Sequence, residues 1–360
     1  MRPAAALVAA LALWAPDAGA EPLRIASFNA ELMRDGPGLL LRDLTRGGDA
    51  QIAAVVAVIA RVDPDILILQ GLDHDHGLAA LSALADALAA QGVLYDTRLA
   101  LPTNRGLATG LDMDGDGRTG TARDAQGYGR FYGQGAMAVL ARFPVDRDAV
   151  QDFTTLLWAD LPGALLPVTP EGTPFPSDAG RAVQRLSSSG HWVLPFQLPG
   201  GRLDVMAFHA GPPVFDGPED ANGRRNHDEI LFWQRVLDGQ VGTPPPGPFV
   251  IAGSANLDAQ DSDGRREAIR ALLADPRLQD PAPQSAGAAQ AGAQGHAGPD
   301  ALDSVDWPEV GRLRVDYVLP SAGLRVLGSG VFWPAPGEAG HEDALAASRH
   351  RLVWVDIDWP

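Results

Sequence analysis

Polar groups that can move protons or bind ions stand at the ends of apolar runs along this 360-residue chain. Ile25-Ala26-Ser27-Phe28-Asn29 ends in an amide, and Val205-Met206-Ala207-Phe208-His209 ends in an imidazole. Gly253-Ser254-Ala255-Asn256-Leu257-Asp258 is a short polar turn after another apolar run, while Arg314-Val315-Asp316-Tyr317 and Ser348-Arg349-His350-Arg351 bring an acid and a second imidazole. Directly after His209, a polar stretch offers Asn222, Arg224, Arg225, Asn226 and His227 as donors to a phosphate or other anion. Arg224 and Arg225 are equally suited to stapling that loop through ion pairs. In Asp112-Met113-Asp114-Gly115-Asp116-Gly117, three carboxylates at alternate positions can converge on one cation, with Gly117 permitting the sharp turn.

Those groups need strands and helices to carry them. Leu23–Asn29 alternates and then turns polar, as a strand ending at a site does. Apolar residues at helical spacing predict a helix over 49–62, which Asp63-Pro64-Asp65 stops because proline restricts the residue before it. The continuous apolar run 66–69 predicts a strand buried on both faces, and 78–94 a second helix. Further strands are expected at 136–141, 191–196, 203–209, 249–252, 313–319 and 352–357, with a helix at 228–237. The Ala/Gly/Gln/Pro stretch 284–300 reads as a mobile loop.

Composition sets the bounds. Arg2, a short apolar run over 4–14 and Ala18-Gly19-Ala20 predict a secretory signal over residues 1–20, too short to span a bilayer. An exported protein, periplasmic or extracellular and without a membrane span, is therefore expected. It has no cysteine, so its stability must come from the core and not from disulfides. The formal charge is −17 and every basic residue is arginine. That balance disfavours a nucleic-acid partner gripped through its phosphates and favours a small phosphoester or other anionic substrate.

In this order the six segments, with Asp65-Ile66-Leu67-Ile68-Leu69-Gln70-Gly71 as the sixth, resemble the endonuclease/exonuclease/phosphatase superfamily. The resemblance covers most of the chain after Leu23. It implies the DNase I-like fold: one α/β domain over 21–360, a four-layer sandwich of two packed mixed β-sheets flanked by helices. It also implies Mg²⁺ or Mn²⁺ at a phosphoesterase centre. Matched position by position, Asn29 lies by the metal, His209 donates to the phosphoryl group and Asn256 orients it. Asp316 aligns His350.

Three positions depart from the family pattern. Gly71 stands for a metal-binding Glu, Ser254 for a general-base Asp, and Arg349 for an Asp. Glu31, or Asp73 and Asp75, are the carboxylates that could compensate; Arg349 could instead hold substrate phosphate. The acidic run over 112–117 resembles the opening of an EF-hand calcium loop. Arg123 is at the twelfth position and Asp124 follows, so Asp112, Asp114, Asp116 and Asp124 are the expected Ca²⁺ ligands, ordering an insertion over 104–134. Two functions stay open: an exported metal-dependent phosphoester hydrolase, and an impaired relative that binds a phosphorylated or anionic ligand in the old cleft.

Overall fold

The computed structural model describes residues 22–292 and 295–360; the expected signal lies outside the described residues. The first half supplies β1 (Leu23–Asn29), α1 (Leu39–Arg46), α2 (Ala50–Val62), β2 (Ile66–Leu72), α3 (Ala79–Ala89), β3 (Thr97–Leu99), β4 (Ala136–Ala141), β5 (Gln151–Asp152) and α4 (Asp178–Val183). The second supplies β6 (His191–Leu198), β7 (Gly201–His209), α5 (Ala221–Leu237), β8 (Phe249–Ser254), α6 (Glu267–Leu273), α7 (Ala286–Ala291), β9 (Val305–Trp307), β10 (Gly311–Leu313), β11 (Asp316–Pro320), β12 (Val326–Val331), α8 (His341–Ala347) and β13 (Val353–Ile357).

A six-stranded sheet runs β12-β13-β1-β2-β4-β3, and a five-stranded sheet runs β11-β8-β7-β6-β5. β1–β2 and β7–β8 are the parallel pairs, and helices cross between their strands. Side chains alternate between faces with the period of two that strands impose. Ile25, Ile66, Ile68 and Val139 therefore meet Leu194, Val205, Val250 and Val318 between the sheets. On the outer face of the first sheet, Phe28, Leu67 and Leu69 pack on Val55, Ile59 and Leu84 of α2 and α3. Outside the second, Phe208, Ile251 and Tyr317 pack on Ile230, Trp233 and Ile269 of α5 and α6. Four layers result, as the segment pattern implies.

The differences from expectation are local. Segment 313–319 is divided between β10 and β11, because Arg314 N–H is taken by Asp258 and Val315 N–H by Ser304 instead of by a ladder. The stretch at 284–300 is not a loop throughout: Ser285 caps α7, and Gly287 packs against Trp333 where a side chain would collide. α5 begins at Ala221, not 228, so Arg224 and Arg225 are helical.

Candidate active site

Register brings the expected residues together. In the parallel β7–β8 pair His209 lies beside Ser254, and in the antiparallel β8–β11 pair Ser254 lies beside Asp316. Three neighbouring strands thus present imidazole, hydroxyl and carboxylate in one row. His350, on the segment leading into β13, closes that row onto the other sheet: its Nδ1 is 2.9 Å from Asp316 Oδ2, and its Nε2 is 3.3 Å from Asn29 Nδ2. An amide nitrogen only donates. In this arrangement His350 therefore holds its proton at Nδ1, toward the carboxylate, and keeps the Nε2 lone pair toward Asn29.

The pair is built to stay in place. Asp316 and His350 are both buried. Ser304 Oγ donates to Asp316 Oδ2 at 2.8 Å while accepting the backbone N–H groups of Val315 and Asp316. The Trp307 ring meets His350 edge-on at 5.4 Å. Sequence reasoning missed Ser304; an isolated serine in a loop carries no signal until the fold sets it beside the acid.

His209 is held neutral. Burial pushes its pKa well below the ordinary value, and the charge of Arg105 acts in the same direction. Its Nδ1 is 3.4 Å from Ser189 Oγ. A neutral imidazole has one N–H to offer a phosphoryl oxygen and adds no charge. Asn256 adopts φ of 50° and donates from Nδ2 to the Ala210 carbonyl at 2.7 Å, tying the turn after β8 to the residue after His209.

On the other sheet the picture changes. Gly71 has φ of +70° at an irregularity in the β2–β4 ladder, and a Cβ there would lie 2.6 Å from Asn29 Oδ1 and 2.9 Å from the Glu31 nitrogen. The position lacks a carboxylate and also lacks room for one. Glu31 carries a charge, but Arg349 covers it. The Arg349 guanidinium is ion-paired with Glu31 through Nε and Nη2, and the Arg349 N–H donates to the same carboxylate at 2.9 Å. Burial would raise the Glu31 pKa, yet the hydrogen bonds from Arg349 and its charge hold it below the usual range.

Several expected ligands therefore have other work. Arg349 holds Glu31 and is not free for substrate phosphate. Arg225 donates to the carbonyls of Leu186, Gln126, Arg185 and Ser187, which makes it a staple between segments. Arg224 sits one helical turn from Asp220, at 4.0 Å, with its Nε buried and unpartnered; no contact links it to the His209–Asp316 row. Asp73 accepts the Arg34 and Gly135 N–H groups, and Asp75 caps α3.

Away from the row, Asp112, Asp114 and Asp116 converge, with one oxygen of each within 4.8 Å of the others. Burial, and then the neighbouring carboxylates, raise the Asp114 pKa, so the cluster repels itself as it stands. Asp124 is not in the set: its two oxygens accept the Met113 and Thr121 N–H groups at 2.8 Å.

With that geometry in hand, comparison with known proteins is direct. The model of the "Endonuclease/Exonuclease/phosphatase family" matches residues 26–350. The chain belongs to this family. Family members act on phosphoesters or nucleic acids and commonly use divalent metals. Among solved structures it is similar to the endonuclease/exonuclease/phosphatase from Beutenbergia cavernae DSM 12333, at 17% identity and a TM-score of 0.53 over 94% of this chain and 72% of that one. A family protein from Leptotrichia buccalis C-1013-b aligns at 16% identity and 0.51, covering 94% and 100%. One from Bacteroides thetaiotaomicron aligns at 12% and 0.50, covering 95% and 99%. No curated protein matches the sequence. Among the described residues, no helix is long and apolar enough to cross a membrane.

The family's divalent metal can be tested against this donor set. Asn29 Oδ1 and Asp316 Oδ1 are buried without partners, as acceptors awaiting a cation or a donor would be. Hard divalent cations take several oxygens, with charge from carboxylates. Position 71 supplies none, Glu31 is neutralised by Arg349, and the only convergent set of three acids among the described residues is the distant Asp112 cluster. As arranged, the phosphoesterase centre does not fit the metal.

Proposed function

We propose that this protein is a phosphoester hydrolase that uses the Asp316–His350 pair for proton transfer. The observation that supports it is the His350 geometry: Nδ1 lies 2.9 Å from Oδ2 of the buried Asp316 carboxylate, and Nε2 faces Asn29. That is the arrangement of a general base oriented by an acid. In this reading His350 Nε2 takes a proton from water as its oxygen attacks phosphorus. The bond from phosphorus to the ester oxygen breaks on the opposite side, the leaving oxygen takes its proton from solvent, and His350 gives its proton up to solvent afterwards. The neutral His209 N–H and the amides of Asn29 and Asn256 hold phosphoryl oxygens.

The acid-poor side favours a second reading, a relative that binds a phosphorylated or anionic ligand without turnover. Turnover of p-nitrophenyl phosphate and its bis-ester, with Mg²⁺, with Mn²⁺ and with chelator, separates them. Activity that disappears in His350→Ala supports the hydrolase. Silence in the natural protein together with tight phosphate binding sinks it. Ser254→Asp is the informative gain-of-function variant, since Gly71→Glu has no space beside Asn29.

Two further proposals accompany this reading. Export with loss of residues 1–20 is supported by the charge, apolar run and small residues of that segment; the mature N-terminus in the exported fraction tests it. Ca²⁺ on Asp112, Asp114 and Asp116 is supported by their convergence, while Arg123 Nε at 3.9 Å from Asp114 counts as a weak competing cation. A melting temperature unchanged by chelator overturns it.

A further inference from the structure

Arg105 makes no direct ion pair, although the more distant Glu229 and Asp73 carboxylates act on its charge. Among the described residues no carboxylate oxygen lies within ion-pair distance of its guanidinium, which donates from Nε to the Gln134 carbonyl at 3.1 Å and leaves both terminal nitrogens without a protein partner. Its neighbours are matched: Arg34 bonds Asp43 and Asp49, Arg130 bonds Asp35, and Arg349 bonds Glu31. A partly buried arginine without a direct ion pair is incompletely compensated until a ligand completes it.

The backbone fixes where it points its influence. Asn104, the residue before it, donates its N–H to the Ser189 carbonyl, and Thr103 Oγ1 donates there too. Ser189 Oγ is the group beside His209 Nδ1. The Arg105 charge is accordingly felt at His209. On its other side Arg105 lines a cavity of about 260 Å³ with Met33, Arg34, Asp35, Tyr128, Arg130 and Gln134, and Arg130 pairs with the Asp35 carboxylate. Asn29, His209, Asn256 and His350 do not line it, so the cavity is separate from the phosphate seat.

We infer that Arg105 and this cavity form a subsite for a second oxyanion, so that the ligand is a small phosphomonoester carrying a carboxylate or second phosphate. A guanidinium with two free terminal N–H groups matches such an oxyanion bidentately, which an ammonium cannot do. Met33 and the exposed Tyr128 ring give the linking carbons an apolar wall. The inference rests on the reading of the His209–His350 row as a phosphate seat.

Isothermal titration of the full chain with phosphoglycolate, ethyl phosphate and 1,2-ethanediol bisphosphate tests it. The natural protein is expected to bind the two probes that carry a second anionic group at least about tenfold more tightly than ethyl phosphate. Arg105→Gln is expected to erase that preference, weakening the two larger probes far more than ethyl phosphate, and Arg105→Lys to restore only part of it. His209→Gln is expected to weaken all three probes alike. Equal affinity for the three probes in the natural protein overturns the subsite, as does a preference that survives in folded Arg105→Gln. If that variant does not fold, the comparison of probes on the natural protein still decides. Failure of ethyl phosphate itself to bind overturns the phosphate seat, a different result from equal binding.

Discussion

The two sheets contribute unequally to one site. The five-stranded sheet supplies His209, Ser254 and Asp316 in register, with Ser254 Oγ and Asp316 Oδ1 making no hydrogen bond. The six-stranded sheet supplies Asn29 and, on the segment entering β13, His350; beside them Gly71 leaves no space for an acid and Arg349 covers the Glu31 charge. In the proposed function, the contrast makes phosphate handling and metal binding separable parts of this fold. The first depends on hydrogen-bond geometry fixed by strand register. The second needs concentrated negative charge, which one substitution removes and one arginine neutralises.

The comparison breaks most visibly at His350. If the Asp316–His350 pair does the chemistry, His350→Ala should lower turnover of p-nitrophenyl phosphate by roughly 10²–10⁴-fold, and Asp316→Asn nearly as much, with little change in phosphate binding. A steady-state rate within a factor of about three of the natural protein would remove the Asp316–His350 pair from catalysis.

Next in size is the support behind His209. Glu229 on α5 is fully buried and bonds Ser188 and the Gly211 N–H; burial raises its pKa to about 7, against the smaller opposing effect of Arg225. The folded protein then binds a proton that the unfolded chain has released, so this group's contribution falls as pH rises from about 4.5 to about 7. At ~1.4 kcal/mol per unit the loss is roughly 3 kcal/mol. Buried His191 and His209 act oppositely, since their folded pKa values are depressed and stability rises with pH toward their ordinary range. The difference in denaturant stability between the natural protein and Glu229→Gln isolates the effect. That difference should shift in favour of the variant by about this amount between pH 4.5 and 7.5. A difference flat with pH would contradict it.

A smaller cost is expected on the other sheet. Gly71→Ala should destabilise by about 1–3 kcal/mol, from its left-handed φ and the contact with Asn29, and weaken ethyl phosphate binding by displacing that amide. Ser254→Ala should be the mildest, within about 1 kcal/mol in either direction, because its hydroxyl is buried and bonds nothing. Urea unfolding ranks the two, and the reverse order would mean that Ser254, not Gly71, is the strained position.

Much of this was legible without coordinates. Apolar runs ending in Asn29 and His209, and the short turn at Asn256, place polar side chains at strand ends because a strand's period and its termination are local properties. The six segments in order imply the layered fold, and Gly71 and Ser254 announce the missing acids by residue type alone. The charge of −17 and the absence of cysteine are likewise facts of the chain. The partners of long charged side chains were not legible, since an arginine reaches across segments that only folding brings near. Arg349 meets Glu31 across 318 positions, and Arg225 meets four carbonyls in two distant segments. Ser304 and Arg105 acquire meaning from neighbours remote in sequence. Residue types thus determined which chemistry was available and which acids were gone. Tertiary structure decided which charges were already spent, because ion pairs and hydrogen bonds are chosen by distance in space.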